Sequence, residues 1–159
     1  MKFVKEQKRT NYCGELNIKN AGQTVTIMGW VDSRRDHGSL VFIDLRDREG
    51  IVQVVLDPNK GDTSSAKDFR GEYVVAIQGI VKARPEGMKN SKIKTGEIEI
   101  EAIRCEILNS AATPPFRPED ENVNEVLRLK YRYLDLRSQR LQHHMITRHK
   151  VAQWVRRFL

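Results

Sequence analysis

The feature that most constrains the fold is a series of short segments in which apolar residues recur at every second position. The apolar positions of one such segment, residues 40–46, are Val41, Ile43 and Leu45. Phe42 falls on the opposite face of this segment, beside charged residues, because side chains alternate along a strand. The next segment, residues 51–56, repeats the alternation with Gln53 on its second face. The pattern predicts half-buried strands that display an aromatic ring and an amide among charges.

The order of the segments predicts the architecture. Five strand-like segments lie within residues 24–108, and a stretch rich in turn formers separates the third from the fourth. This stretch has room for a short helix that begins at Thr63 or Ser64 and ends near Gly71. Five strands with a helix at that point predict a mainly β protein, a five-stranded OB-fold Greek-key barrel. Another small barrel or an open meander is the competing interpretation.

The fifth segment changes face partway along its length. Ile98 and Ile100 share one face, whereas Ile103 and Cys105 share the opposite one. A bulge near Ala102 would reconcile the two halves, because one extra residue reverses the alternation.

After the strands, three prolines and a lack of periodicity predict a linker, which is followed by helices with Asn124 as a candidate N-cap. The last helix carries an apolar stripe and reaches Leu159 without a cap, so we expect it to begin a larger domain. The predicted divisions are a tail at 1–10, an OB-fold domain at 11–110, a linker at 111–124 and a helical segment at 125–159.

Charge and composition narrow the function. The net charge of +7 comes from the end of the chain. Residues 128–159 hold nine Lys and Arg and one Asp, whereas the residues before them have a net charge of −1. The predicted barrel is therefore not a generic polyanion-binding surface, and nucleic acid would need local clusters and specific contacts. "SRR" at 33–35 and the lysines and arginine of 82–94 form such clusters, although a solvated surface explains them equally well.

Several classes of site are not indicated. The two cysteines lack C-x-x-C spacing, and the histidines lack a helical i, i+4 pair, so we expect reduced thiols and no metal ligands. No paired carboxylates, P-loop or nucleophile arrangement is present, so we expect no catalytic residue in this chain. No apolar run suits a membrane helix or a signal peptide, which predicts a cytoplasmic location and no membrane partner.

The outward Phe42, flanked by Gln and Arg, suits single-stranded nucleic acid. A base stacked on such a ring contributes about 1–3 kcal/mol, and polar neighbours can read its edge. The alternative is that Phe42 covers a loop or contacts the following domain, and the alternation alone leaves both open.

Four ordered blocks carry a family resemblance: "GWVDSRRDHGSLVFIDLRDREGIVQVVLDP", "GIVKAR", "TGEIEI" and "RLKYRYLDLR". Together they resemble the N-terminal anticodon-binding portion of bacterial-type aspartyl-tRNA synthetases, which are class II enzymes. The resemblance implies a homodimeric ligase that joins aspartate to tRNA(Asp) in an ATP-dependent two-step reaction. It also implies that the helical segment begins a truncated catalytic domain, whose ATP and Mg²⁺ sites lie beyond Leu159. The alternative function is a free-standing OB-fold module that binds single-stranded nucleic acid without catalysis.

The resemblance also implies roles for individual residues. Phe42 matches the stacking platform for the central anticodon uridine, and Gln53 matches the reader of that base. The residues that match those gripping the anticodon bases and phosphates are Arg35, Arg84 and Glu99. Arg35 shares parity with Val31, so the chain must depart from regular strand geometry to present it outward.

Two further positions resemble the non-discriminating subgroup of these enzymes, which charges tRNA(Asn) as well as tRNA(Asp). His37 and Gly87 stand where enzymes restricted to tRNA(Asp) carry leucine and lysine. The subgroup implies an amidotransferase as the downstream partner that converts Asp-tRNA(Asn). The alternative is a loop histidine and a turn glycine without a role in selectivity.

Overall fold

The computed structural model of the chain describes residue 6 and residues 8–159. Most of the expected tail at 1–10, namely residues 1–5 and 7, lies outside the described residues. The chain divides into two compact units, residues 1–113 and residues 114–159.

The first unit is built on a closed five-stranded barrel. Its strands are β1 (Thr24–His37), β2 (Leu40–Arg46), β3 (Ile51–Leu56), β4 (Val74–Ala83) and β5 (Ile98–Asn109). They pair in the order β1-β2-β3-β5-β4, and β4 returns to β1 to close the barrel. Every pairing is antiparallel except that of β3 with β5, which is parallel. The predicted OB-fold barrel is confirmed.

The barrel interior is filled by the apolar residues that alternate along each strand. Ile43 and Leu45 on β2 and Val52 and Val54 on β3 are completely buried, as the period-two pattern predicts. Phe42 is absent from the buried cluster and only partly buried. The core therefore fixes which face of each strand is left for a ligand.

A 3₁₀ helix, Ser64–Asp68, occupies the position of the predicted short helix between β3 and β4. The helix ends at Asp68, three residues before Gly71, because Phe69 has extended backbone angles and its ring is buried in the barrel core. Burial of this ring ends the helix after five residues.

Register shifts interrupt the pairing of β1 with β2 at one place and that of β4 with β5 at two places. On β5, Gln78 pairs with Arg104 and Gly79 pairs with Ala102, so Ile103 is the extra residue. This confirms the bulge predicted near Ala102. On β1, the register shifts between Val31 and Ser33, so Asp32 is an extra residue there.

The second unit is helical. Its helices are α1 (Glu125–Lys130), α2 (Arg132–Asp135) and α3 (Gln139–Phe158), and residues 110–124 contain no helix or strand. The predicted N-cap is confirmed, since the Asn124 side chain accepts a hydrogen bond from the Val126 amide at 2.8 Å. The apolar stripe of α3 includes exposed residues such as Met145 and Val155. In the part of the chain that the structure describes, no helix combines the length and apolar character needed to cross a membrane.

The two cysteines are free and buried. Burial raises the pKa of the Cys13 thiol far above its usual range, and the adjacent Asp47 carboxylate adds to this effect. Burial likewise raises the pKa of Cys105. Both groups are therefore neutral thiols that contribute to packing.

Gly79 gives a test of how tightly the bulged strands approach each other. A Cβ atom there would lie 2.5 Å from the Glu101 carbonyl oxygen and 2.6 Å from Ile100 Cγ2. We expect Gly79→Ala to lower the free energy of unfolding by about 1–3 kcal/mol, because the backbone must shift to accept the methyl group. Gly71→Ala is the control, since nothing lies within 4 Å of its Cβ position, and it should change stability by less than about 0.5 kcal/mol. Urea denaturation measures both, and equal effects would contradict the close approach.

Candidate nucleic-acid interface

The outer face of β1, β2 and β3 brings together the ring and the polar groups that the sequence singles out. Arg35 on β1 is directly opposite Phe42 on β2, and Asp44 on β2 is directly opposite Gln53 on β3. Cross-strand neighbours have Cβ atoms about 4.5–5.5 Å apart, so these side chains form one continuous surface. Within the described chain, no other ring or guanidinium lies on the Phe42 ring.

The bulge at Asp32 explains how Arg35 reaches this face. Before the bulge, Val31 points into the barrel opposite Leu45. After it, Ser33 lies opposite the outward-facing Asp44, and the Ser33 hydroxyl bonds with the Asp44 carboxylate at 2.5 Å. The departure from regular strand geometry that the sequence demanded is therefore a single extra residue.

The Arg35 guanidinium is loosely held. Its Nη2 atom lies 3.5 Å from Asp44 Oδ2 and 3.5 Å from Gln53 Oε1, at the outer limit of hydrogen bonding, and its side chain is 61% exposed. Such contacts orient the group without occupying all of its donors. Arg35 can therefore donate to a base or phosphate while it remains beside Gln53.

The parallel pairing of β3 with β5 extends the surface. Val54 pairs with Ile100, and the residues immediately before them are Gln53 and Glu99. Glu99 is partly exposed and lies between two buried isoleucines, which confirms that its side chain faces outward. A carboxylate at this place can accept hydrogen bonds from a guanine amino or imino group.

Arg84, which the resemblance assigns to gripping the anticodon, lies just beyond β4 and is only 7% exposed. Its Nε donates to the Ile98 carbonyl at 2.8 Å, and Nη1 lies 3.4 Å from the Met88 carbonyl. Nη2 is buried and has no hydrogen-bond partner in the described chain. Burial lowers the pKa of Arg84, whereas the charges of Glu99 and Asp44 oppose that shift.

Four charged side chains lie near one another on this part of the barrel. The two cations are Arg35 and Arg84, and the two anions are Asp44 and Glu99. Such a balanced set suits a ligand that has both donors and acceptors, as the edge of a nucleobase does. A surface for phosphate alone would carry an excess of positive charge. The alternation places Asp44 on the same face as Phe42, but the sequence did not indicate that its carboxylate contacts Ser33 and Arg35.

Of the two positions linked to selectivity, His37 directly precedes a turn and Gly87 lies within one. His37 is the last residue of β1, opposite Leu40, and is exposed. Gly87 has a φ of 90° and lies in a turn closed by a 3.0 Å bond from the Met88 amide to the Pro85 carbonyl. A side chain at Gly87 would meet no atoms within 4 Å but would strain this left-handed backbone.

Basic residues near the surface are largely engaged within the protein. Arg34 donates to the carbonyls of Lys67 and Phe69 at 2.7 and 3.0 Å, so it holds the end of the 3₁₀ helix. Lys82 forms an ion pair with Glu101, which also pairs with Lys60. Among the described residues, no group of three or more His, Cys, Asp or Glu is arranged to hold a metal ion.

Comparisons with known proteins agree with this geometry. A family model described as an OB-fold nucleic-acid-binding domain, of the tRNA anti-codon type, matches residues 25–108. The aspartate–tRNA(Asp/Asn) ligase of Syntrophotalea carbinolica is 54% identical over 155 residues, covering 96% of this chain. The chain spans 26% of the length of that relative.

Two solved structures extend the comparison. The asparaginyl-tRNA synthetase of Pyrococcus horikoshii in complex with asparaginyl-adenylate has a TM-score of 0.81 at 26% identity, covering 96% of this chain and 34% of that one. An OBody bound to hen egg-white lysozyme matches 66% of this chain and 97% of its own at 29% identity, with a TM-score of 0.55.

A comparison of Arg84 with Arg46, which is also largely buried, tests how much Arg84 contributes to stability. A charged hydrogen bond contributes about 1.5–3 kcal/mol, and an unsatisfied buried donor costs about 1–3 kcal/mol, so the two effects at Arg84 nearly cancel. We expect Arg84→Met to change the free energy of unfolding by less than about 1 kcal/mol. Arg46→Met should cost about 3–5 kcal/mol, because the Arg46 guanidinium contacts the carboxylates of Asp32 and Glu72. Urea denaturation compares them, and an equal loss would mean that Arg84 is a purely structural residue.

Proposed function

The chain belongs to the family of OB-fold nucleic-acid-binding domains, and from that premise we propose that its barrel reads the anticodon of a tRNA. The observation that carries this proposal is the Phe42 ring, which lies outside the core with Arg35 opposite it and Gln53 on the adjacent strand. A base stacked on this ring would present its edge to Gln53 and to the Arg35 guanidinium. Arg84 and Glu99 would contact a neighbouring base.

The geometry favours the central anticodon base as the one on Phe42. The ring lies on β2, which pairs with β1 on one side and with β3 on the other, and both neighbouring strands carry polar groups beside it. Uridine offers one imino donor and two carbonyl acceptors, and a Gln side chain can bond to both kinds of group. Flanking bases would then lie towards Glu99 on one side and His37 on the other.

The names of the relatives support a wider proposal for the parent protein. It would be an aspartate–tRNA ligase that activates aspartate with ATP and transfers it to tRNA(Asp). The described residues of this chain provide recognition, and we assign no chemical step to them. ATP and Mg²⁺ would bind to parts of the ligase other than this barrel. A cytoplasmic location and a homodimer belong to the same proposal.

The relatives' names also include tRNA(Asn), and His37 and Gly87 provide a physical reason. The anticodons of the two tRNAs differ at the third position, C against U. A glycine turn that projects no side chain and an exposed histidine would make little distinction between those bases. The product Asp-tRNA(Asn) would then require an amidotransferase as a partner.

Replacement of Phe42 tests anticodon reading directly. We expect Phe42→Ala to weaken binding of the tRNA(Asp) anticodon stem-loop to the 159-residue chain by about 5- to 150-fold, equivalent to the loss of about 1–3 kcal/mol of stacking. Fluorescence anisotropy at fixed salt measures the dissociation constant. Ile103→Ala removes an exposed apolar side chain from the β5 bulge and should leave affinity unchanged.

The same titration separates this proposal from a general single-stranded nucleic-acid-binding module. Stem-loops whose central base is U should bind more tightly than those with C at that position. Equal affinities at matched salt would favour the general module. Unchanged affinity in Phe42→Ala would instead assign the ring to a contact within the protein.

Charging of two tRNAs tests the wider proposal. We expect the full-length ligase to aminoacylate both tRNA(Asp) and tRNA(Asn) transcripts with aspartate. The double substitution His37→Leu and Gly87→Lys should lower kcat/KM for tRNA(Asn) by about 3- to 10-fold relative to tRNA(Asp), the effect of one hydrogen bond of about 0.5–1.5 kcal/mol. Gly71→Ala is the control for glycine replacement. Rejection of tRNA(Asn) by the unaltered enzyme would refute the broader specificity.

A further inference from the structure

The bulge in β1 is the one feature on which the orientation of all later β1 side chains depends. Val31 faces the core opposite Leu45, and Ser33 faces outward opposite Asp44, because Asp32 has no partner of its own on β2. Without this extra residue, the period-two alternation would turn the Arg35 side chain towards the interior. Contacts that hold the bulge therefore control the presentation of Arg35.

A largely buried arginine, Arg46, holds the bulge through contacts of its side chain. Arg46 Nε lies 3.0 Å from Asp32 Oδ1, and Arg46 Nη2 lies 2.5 Å from Glu72 Oε1. The contact with Glu72 is a charge-assisted hydrogen bond, whereas the contact with Asp32 is an ion pair without hydrogen-bond alignment. The Arg46 and Glu72 side chains are 12% and 10% exposed, so water screens this pair only weakly.

The backbone of the segment before β4 forms hydrogen bonds with β1 next to the bulge. The Glu72 amide donates to the Val31 carbonyl at 2.8 Å, and the Val31 amide donates to the Tyr73 carbonyl at 2.9 Å. Glu72 has a φ of 65°, a left-handed conformation that glycine adopts easily and glutamate does not. The strained backbone places the Glu72 carboxylate against Arg46.

The location of this ion network gives it a role in geometry as well as in stability. A buried ion pair often adds little net stability over an apolar replacement, because desolvation offsets the attraction. Here, however, one carboxylate belongs to the bulged residue itself and the other to the segment that bonds with Val31. The guanidinium thus links the two sides of the point where β1 changes face.

We propose that Asp32, Arg46 and Glu72 are positioning residues that lock the β1 bulge and so set the orientation of Arg35 for base recognition. The inference rests on the proposed function, since it assigns these residues to the same RNA-reading face. None of the three touches the RNA. They act through Arg35, and loss of the network weakens base reading while the barrel remains folded.

A double-mutant cycle tests this inference with the 159-residue chain and the tRNA(Asp) anticodon stem-loop. Glu72→Gly removes the carboxylate and relieves the left-handed backbone, so the barrel should remain folded, as checked by its thermal midpoint. We expect it to weaken binding by about 3- to 10-fold, with a smaller preference for U over C at the central base. When Arg35→Ala is already present, Glu72→Gly should weaken binding by less than about twofold, because the effect passes through Arg35.

Conservative variants separate positioning from simple loss of stability. Glu72→Gln can still accept the Arg46 hydrogen bond and should restore binding to within about twofold of the unaltered chain. Asp32→Asn provides a second cycle, since the Asp32 side chain is partly exposed and its change is mild for folding. Asp32→Asn should likewise weaken binding less when Arg35→Ala is already present than when it is not.

The outcomes distinguish the inference from the proposed function. Equal losses with and without the Arg35→Ala substitution would overturn the positioning role. If Phe42→Ala weakens binding and Glu72→Gly leaves it unchanged, the inference fails and the proposed function stands. If neither substitution affects binding, both fail.

Discussion

Burial of the alternating apolar residues inside a closed barrel is the constraint on which the rest of the structure depends. Ile43 and Val54 are completely inside, so their neighbours Phe42 and Gln53 must lie outside. Closure by the parallel pairing of β3 with β5 then places Glu99 beside the same surface. The position of each reading group is therefore tied to the packing of a buried neighbour, and a shift in register would disturb both together.

In the proposed function, the Phe42 ring and the charged groups would contribute differently to binding. The face of the ring would give a base an apolar contact that is insensitive to sequence. The guanidinium groups of Arg35 and Arg84, together with the carboxylates of Asp44 and Glu99, nearly cancel in charge. The surface is therefore poorly suited to holding polyanions in general, and selection must come from the matching of donors and acceptors.

The sequence predicts the strand faces well because alternation is local. It predicts Phe42 outside the core, the five-stranded barrel, and the bulge near Ala102, where two apolar sets change face within one strand. It does not reveal the burial of Arg84, which depends on carbonyls at Ile98 and Met88 across the β4–β5 loop. The place of the β1 bulge is likewise hidden, because Glu72 stabilises it from a distant part of the chain. The 3₁₀ helix ends early for a similar reason, since tertiary burial of Phe69 overrides local turn signals.

A charge-balanced surface of this kind selects chiefly by rejecting the wrong base. In the proposed function, a base edge that complements the surface would replace the hydrogen bonds that the Glu99 carboxylate loses to water, so the net gain would be modest. A base with the opposite pattern would place an acceptor against that carboxylate, and the full cost of desolvation would remain. Discrimination can therefore exceed the gain from any single contact. Its size depends on rigidity, because a surface able to rearrange would relieve the mismatch. The closed barrel and the fixed bulge at Asp32 supply that rigidity.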